Sequence, residues 1–245
     1  MRESDFRPAY RKIADDILNG ILTGVYGSGD KIPTQAELAE SYSVSRITVR
    51  DAVNELIHRG FLYTRQGKGT YVGDMEKFSY PLSRTESFSS GIATAGKALR
   101  TEVLCKKYVA ADQSLAKRLG MAEGLELLYL RRLRIVENIP IVVTSSYLDR
   151  SYFHRVDFEK EDFARNSLYD TLKKQADLVI DYADEEIRAV RCPRSVAEYL
   201  ELEDGEPVLY IKRRTVDGGG TCFEWGEQFE RTDFSGMKIR SYGKR

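Results

Sequence analysis

The chain has 245 residues, 42% hydrophobic and 31% charged, with 38 basic side chains against 38 acidic ones. That length suits one or two domains with a sizeable core, and the composition excludes a disordered chain. The longest apolar run, Ile139–Val143, is five residues, far short of the roughly 20 that a membrane-spanning helix needs.

The start, MRESDFRPAY, lacks the apolar segment of a secretory signal, so a cytoplasmic protein without membrane contact is expected. Cys105, Cys192 and Cys222 lie far apart with no CxxC spacing, so neither a disulfide framework nor a metal site is expected. Residues 1–77 balance as the whole chain does, 11 Lys and Arg against 11 Asp and Glu. Bulk charge therefore gives no support to nucleic-acid binding; only the placement of charges can.

In chain order, Asp5 is a candidate N-cap and Pro8 falls in the first turn of a helix carrying Tyr10, Ile13, Ile17 and Ile21 at helical spacing. Gly24 and Gly27-Ser28-Gly29 close it. Thr34-Gln35-Ala36-Glu37 is a capping box that opens a short helix to about Ser41. Tyr42-Ser43-Val44 forms a turn. Ser45 caps a third helix to about Arg59, with Val49, Val53, Leu56 and Ile57 as its buried stripe. Arg46 and Arg50, spaced i, i+4, share another face.

Phe61–Arg65 and Thr70–Val72 flank Gln66-Gly67-Lys68-Gly69 and read as a β-hairpin with Arg65 and Lys68 at its tip. No Asp or Glu occurs between Leu56 and Gly73, so this stretch is locally basic. The polar, proline-bearing run 74–83 reads as a linker between a domain at 1–73 and another at 84–245. In the second, Glu126–Glu137 and Ile139–Leu148 are strands joined at Glu137-Asn138. Val208–Val216 and Cys222–Glu230 form a late hairpin around Asp217-Gly218-Gly219-Gly220. Asp112–Leu119, Asn166–Gln175 and Arg194–Leu202 are helical. Strands joined by short turns predict an antiparallel sheet with helices on it, an α+β domain.

Helix, short helix, turn, helix and basic hairpin is the layout of a winged helix-turn-helix. A recognition helix puts its N-terminal side chains into the major groove, where Arg46 and Arg50 can each make paired bonds to guanine. Ser45 and Thr48 can bond phosphates. Gly67 and Gly69 allow close approach of the wing, and Lys68 supplies charge.

The run KIPTQAELAESYSVSRITVRDAVNELIHRGFLYTRQGKGTYV, Lys31–Val72, resembles the winged-helix domain of GntR-family transcription regulators. The resemblance implies that Arg46, Thr48, Arg50 and the wing glycines touch DNA. It departs at Ala36, where family members often carry an arginine that contacts DNA.

The C-terminal region, from about Ser87 to Phe234, resembles the UTRA effector domain of the HutC subfamily. Arg132-Leu133-Arg134, Ile139-Pro140-Ile141 with Ser146-Tyr147-Leu148, Ser167-Leu168-Tyr169-Asp170-Thr171-Leu172, and Glu224 carry the likeness. It implies a sheet related to chorismate lyase, a homodimer, a short palindromic operator in double-stranded DNA and a small-molecule effector. Ser89, Ser90, Gly91, Arg132 and Arg134 would hold a phosphate, and Ser167, Tyr169 and Glu224 the remainder. Two departures, Thr144 in place of a common Glu and Phe234 in place of a Tyr, remove polar contacts of the amino-sugar-phosphate pattern.

Read from the residues alone, Arg132 and Arg134 point to one face of a strand and would repel without an anion between them. Cross-strand bridges to Glu224 or Glu227 are the competing reading. Ser167 serves equally as a plain helix cap, and Tyr169 as core. With two histidines, His58 and His154, and no nucleophile or metal-ligand spacing, no catalytic residue, metal or cofactor is expected. The reading is an effector-responsive DNA-binding regulator, a repressor released by a small anionic metabolite. The alternative is a constitutive regulator whose second domain only dimerises.

Overall fold

A computed structural model of the chain describes residues 8–73, 80–81, 92, 98–233 and 237–238. The chain divides into two compact units, Met1–Phe78 and Ser79–Arg245. The first holds α1 (Ala9–Leu22), α2 (Gln35–Tyr42), α3 (Arg46–His58), and a hairpin of β1 (Leu62–Arg65) with β2 (Gly69–Val72).

Ile13, Ala14, Ile17, Leu18 and Ile21 of α1 and Val49, Ala52, Val53 and Leu56 of α3 are buried. The α3 stripe differs from expectation at one place: Ala52 is inside and Ile57 only half-buried. Pro8 also differs. It occupies the cap position before Ala9, with φ −53° and ψ 140°, instead of the first turn. The Asp5 cap lies outside the described residues.

Thr34 and Glu37 form the reciprocal box: the Thr34 N–H donates to Glu37 Oε2 at 2.7 Å, and the Glu37 N–H to Thr34 Oγ1 at 3.2 Å. The Thr34 N–H, and then the Thr34 hydroxyl donating to the same Oε2 at 2.8 Å, hold the Glu37 carboxyl below its usual range. Ser43, at φ 54°, turns the chain between α2 and α3.

In the second unit a six-stranded antiparallel sheet is ordered β4-β5-β6-β9-β8-β7. Its strands are β4 (Leu99–Ala110), β5 (Glu126–Val136), β6 (Ile139–Asp149), β7 (Ile180–Arg191), β8 (Pro207–Asp217) and β9 (Cys222–Arg231). Two residues each of β3 (Tyr80–Pro81) and β10 (Met237–Lys238) pair in parallel. The helices are α4 (Gln113–Leu119), α5 (Leu168–Ala176) and α6 (Arg194–Leu200).

Glu137 and Asn138, both at positive φ (51° and 68°), make the two-residue turn between β5 and β6. Strands β4 and β7 were not expected from the sequence. They are the two edges of the sheet, broken by bulges at Val103/Cys105 and Ile180/Tyr182 and rich in charge, as exposed edges commonly are.

One sheet face carries α5, whose Leu168, Tyr169 and Leu172 join Leu128, Leu130, Leu148 and Phe223 in a buried cluster. The opposite face is covered by α6 over Leu133, Ile135, Val143 and Val208, and by α4 over Leu127 and Val216. Among the described residues no helix is long and apolar enough to cross a membrane, and no group of three His, Cys, Asp or Glu could hold a metal.

Candidate DNA-binding and effector sites

Helix α3 presents Ser45, Arg46, Ile47, Arg50, Asp51 and Asn54 outward. The Ser45 Oγ accepts from the Thr48 N–H at 3.1 Å and shares a 2.8 Å bond with the Thr48 hydroxyl. The two hydroxyls expected to meet phosphate therefore also tie the helix start. Only one hydrogen is used between them, so one hydroxyl still has a proton to donate. Ser45→Ala should cost about 1 kcal/mol of stability, the usual worth of a cap, read as a lower urea midpoint with an unchanged slope.

Arg46 and Arg50 are exposed, and Arg50 lies 4.0 Å from Asp51. Ile47 is 62% exposed between them; an apolar side chain there suits a thymine methyl group. The hairpin pairs Leu62 with Val72 and Arg65 with Gly69. Gly67 and Gly69 both take positive φ, 71° and 122°. A Cβ on Gly69 would stand 2.5 Å from Lys31 Cε, a clash the flexible lysine end could relieve, so it is the φ of 122° that calls for glycine here.

In the second unit, the pairing register lines up Arg132, Thr144, Gln228, Ile211 and Ile187 across β5, β6, β9, β8 and β7. The next row toward α5 is Leu130, Ser146, Gly226, Arg213 and Glu185, and the one beyond includes Glu224 and Thr215. These rows floor a cavity of about 100 Å³. Ser167, Leu168 and Tyr169, at the start of α5, wall it. Gly226 puts no side chain on that floor.

The electrostatics of this cavity are lopsided. Arg132 and Arg134 are 4% and 6% exposed. Arg134 donates to Thr101 Oγ1 at 2.7 Å. The Nε and Nη1 of Arg132 and the Oγ1 of Thr144 are buried with no hydrogen-bond partner. Burial pulls Arg132 down to about 10, against an opposing pull from Glu224. Burial and then the like charge of Arg132 pull Arg134 down to about 8. A guanidinium keeps its proton in proteins, so at Arg132, with two donors unmet, this penalty becomes a demand for an anion.

Arg213 and Glu224 have partners within the cavity. Arg213 donates to Glu185 at 2.8 Å and lies over the Tyr169 ring at 5.7 Å. Tyr169 and Thr215 donate to Glu224 Oε2 at 2.5 and 3.0 Å. Burial and the Glu224 carboxylate push the Tyr169 hydroxyl up.

Residues 9–72 match the model described as bacterial regulatory proteins, gntR family, and residues 94–234, more than half the chain, match the UTRA domain. The chain belongs to the GntR family, in its UTRA-bearing HutC branch. This family is one of transcription regulators, not enzymes.

The GntR/UTRA chain is 27% identical over 226 residues to the HTH-type transcriptional repressor NagR of Bacillus subtilis, covering 92% of this chain and 91% of that one. It is 27% identical over 227 residues, 93% of each chain, to the mannosyl-D-glycerate transport/metabolism system repressor MngR of Escherichia coli. Its fold is shared with the crystal structure of PhnF from Mycobacterium smegmatis, at TM-score 0.65 and 23% identity over 96% of this chain and 100% of that one.

For this GntR/UTRA regulator, the structure brings Arg132, Arg134, Ser167, Tyr169 and Glu224 to one cavity. Ser89, Ser90, Gly91 and Phe234 lie outside the described residues. For Arg132 the competing bridge is not seen: it has no carboxylate within ion-pair distance among the described residues, and Glu227 instead accepts from the Tyr210 hydroxyl at 2.6 Å. Ser167 does cap α5, accepting from the Asp170 N–H at 3.4 Å, while also facing the cavity. Tyr169 likewise serves core and cavity.

Arg213, Glu185, Gln228, Ser146 and Ile47 were missed. The first four reach the cavity that Arg132 lines only through strand pairing. Ile47 was legible as an apolar residue off the buried stripe of α3.

Proposed function

We propose that this regulator is a repressor that leaves its operator when its C-terminal unit binds a small anionic metabolite, a sugar phosphate foremost. The observation that carries the reading is the buried Arg132–Arg134 pair in an open cavity, with two Arg132 donors unmet. The guanidinium fork matches phosphate and carboxylate oxygens. A charge of that sign would complete the cavity's hydrogen bonding. The row beside Arg132 continues with the Thr144 hydroxyl and the Gln228 amide. The Gln228 amide already donates to Glu230 Oε2 at 2.7 Å, whereas the Thr144 hydroxyl has no partner, so the rest of the effector offers a hydroxyl, carbonyl or carboxylate oxygen to Thr144.

Two copies of the chain would place two α3 helices, with Ser45, Arg46, Thr48 and Arg50, on the half-sites of a short palindrome, and Gly67, Lys68 and Gly69 against the flanking backbone. Effector and operator would then oppose each other reciprocally: each weakens the other by the same factor.

A thermal-shift screen of the full chain tests this, using inorganic phosphate, sugar phosphates and sugar acids. A ligand at 100 times its dissociation constant should stabilise by about 2.7 kcal/mol, and the same compound should lower operator affinity. A panel that moves neither melting temperature nor operator affinity, with DNA binding intact, would leave the C-terminal unit as a dimerisation module only.

A further inference from the structure

We infer that the outer face of the wing is a built phosphate clamp whose working cation is Arg65. Tyr63 and Tyr71 face each other across β1 and β2, and Arg65 faces Gly69, so Tyr63, Arg65 and Tyr71 share one face of the hairpin. The two rings stack at 5.8 Å. The Arg65 guanidinium lies 5.4 Å from the Tyr63 ring and 5.1 Å from the Tyr71 ring, and donates to the Tyr63 hydroxyl at 3.1 Å. Tyr71 donates to the Lys68 carbonyl at 3.3 Å, which fixes the turn beneath. Lys31 packs across Gly69, bringing a second cation beside the same strand end.

This arrangement holds a charge in place without neutralising it. Arg65 is exposed, and no Asp or Glu occurs in the sequence from Leu56 to Gly73. Stacking at an exposed site adds little to stability. Its effect on binding is larger. A free arginine loses much rotamer freedom when it docks, whereas one already laid against two rings has lost it beforehand. A rigid fork with unused N–H groups matches a phosphate. On duplex DNA such a contact adds affinity without reading sequence. It also differs from the part assigned to Lys68, a mobile point charge at the hairpin tip.

The inference rests on the DNA-binding role of this unit, and the test separates the two. Full-length wild type, Arg65→Gln, Arg65→Lys and Arg46→Ala are titrated against two duplexes over a salt series. One duplex is selected from a random library with the wild type; the other has scrambled sequence.

Arg65→Gln should weaken both duplexes by the same several-fold factor and lower the salt slope by about one unit. Arg65→Lys keeps the charge but not the fork, so the slope should hold while part of the affinity goes. Wild-type affinity and slope in Arg65→Gln would overturn the clamp, leaving the ring sandwich as hairpin packing. A loss confined to the selected duplex would overturn the phosphate assignment in favour of base reading. If Arg46→Ala loses selective binding while Arg65→Gln binds both duplexes as the wild type does, only the clamp fails. A wild type that binds neither duplex removes both readings.

Discussion

Arg132→Met should melt at a higher temperature than the wild type and lose its response to the effector. The two halves of that result have one cause. Arg132 is buried with two nitrogen donors unpartnered, and burial outweighs the pull of Glu224 on its charge. Replacing a buried ion pair by apolar side chains of similar volume is commonly neutral or stabilising, by about 1–4 kcal/mol, and the penalty for removing one charge arises where a partner is stranded. Arg132 has no ion-pair partner in contact among the described residues, so its loss strands none. In a domain of this size each kcal/mol moves the melting temperature by about 2–4 °C.

Glu224 tolerates the change, because Tyr169 and Thr215 still donate to it. The anion loses its fork. Removing one partner of a buried charge-assisted pair costs about 2–5 kcal/mol, so effector affinity should fall roughly a hundredfold or more. Differential scanning calorimetry with and without the hit from the screen reads both effects. A variant that melts lower than wild type would make Arg132 a structural charge held by Glu224.

The second large effect is on DNA. Arg46→Ala and Arg50→Ala should each cost about 1–3 kcal/mol of operator binding, the worth of a paired base contact, and leave scrambled duplex little affected. Both side chains are already exposed. The 4.0 Å Arg50–Asp51 pair lies at the surface and gives little resistance to Arg50 turning toward a base.

Lys68→Ala should behave differently, weakening every duplex alike and lowering the salt slope by about one unit. Anisotropy titrations with both duplexes separate the roles. Equal losses on selected and scrambled DNA for all three variants would refute a base-reading role for the arginines.

The sequence by itself determined whatever depends on neighbours along the chain. The Thr34–Glu37 box, the Ser45 and Ser167 caps, the Glu137-Asn138 turn and the wing glycines are all short-range hydrogen-bonding or φ requirements, and each is where it was expected. The shared face of Arg132 and Arg134 followed from the two-residue strand period.

Only the tertiary structure decided what surrounds that pair. Pairing of β6 with β9 and of β9 with β8 brings Gln228, Arg213 and Glu224, from strands far along the chain, into the cavity that Arg132 and Thr144 line. It also decided that Arg132 would be buried yet unpaired. The edge strands β4 and β7 escaped notice for a related reason. An edge strand borders the sheet on one side only and carries charge, so its alternation of apolar and polar residues is weak. Register and burial come from long-range packing, and local pattern carries no record of which strands will lie side by side.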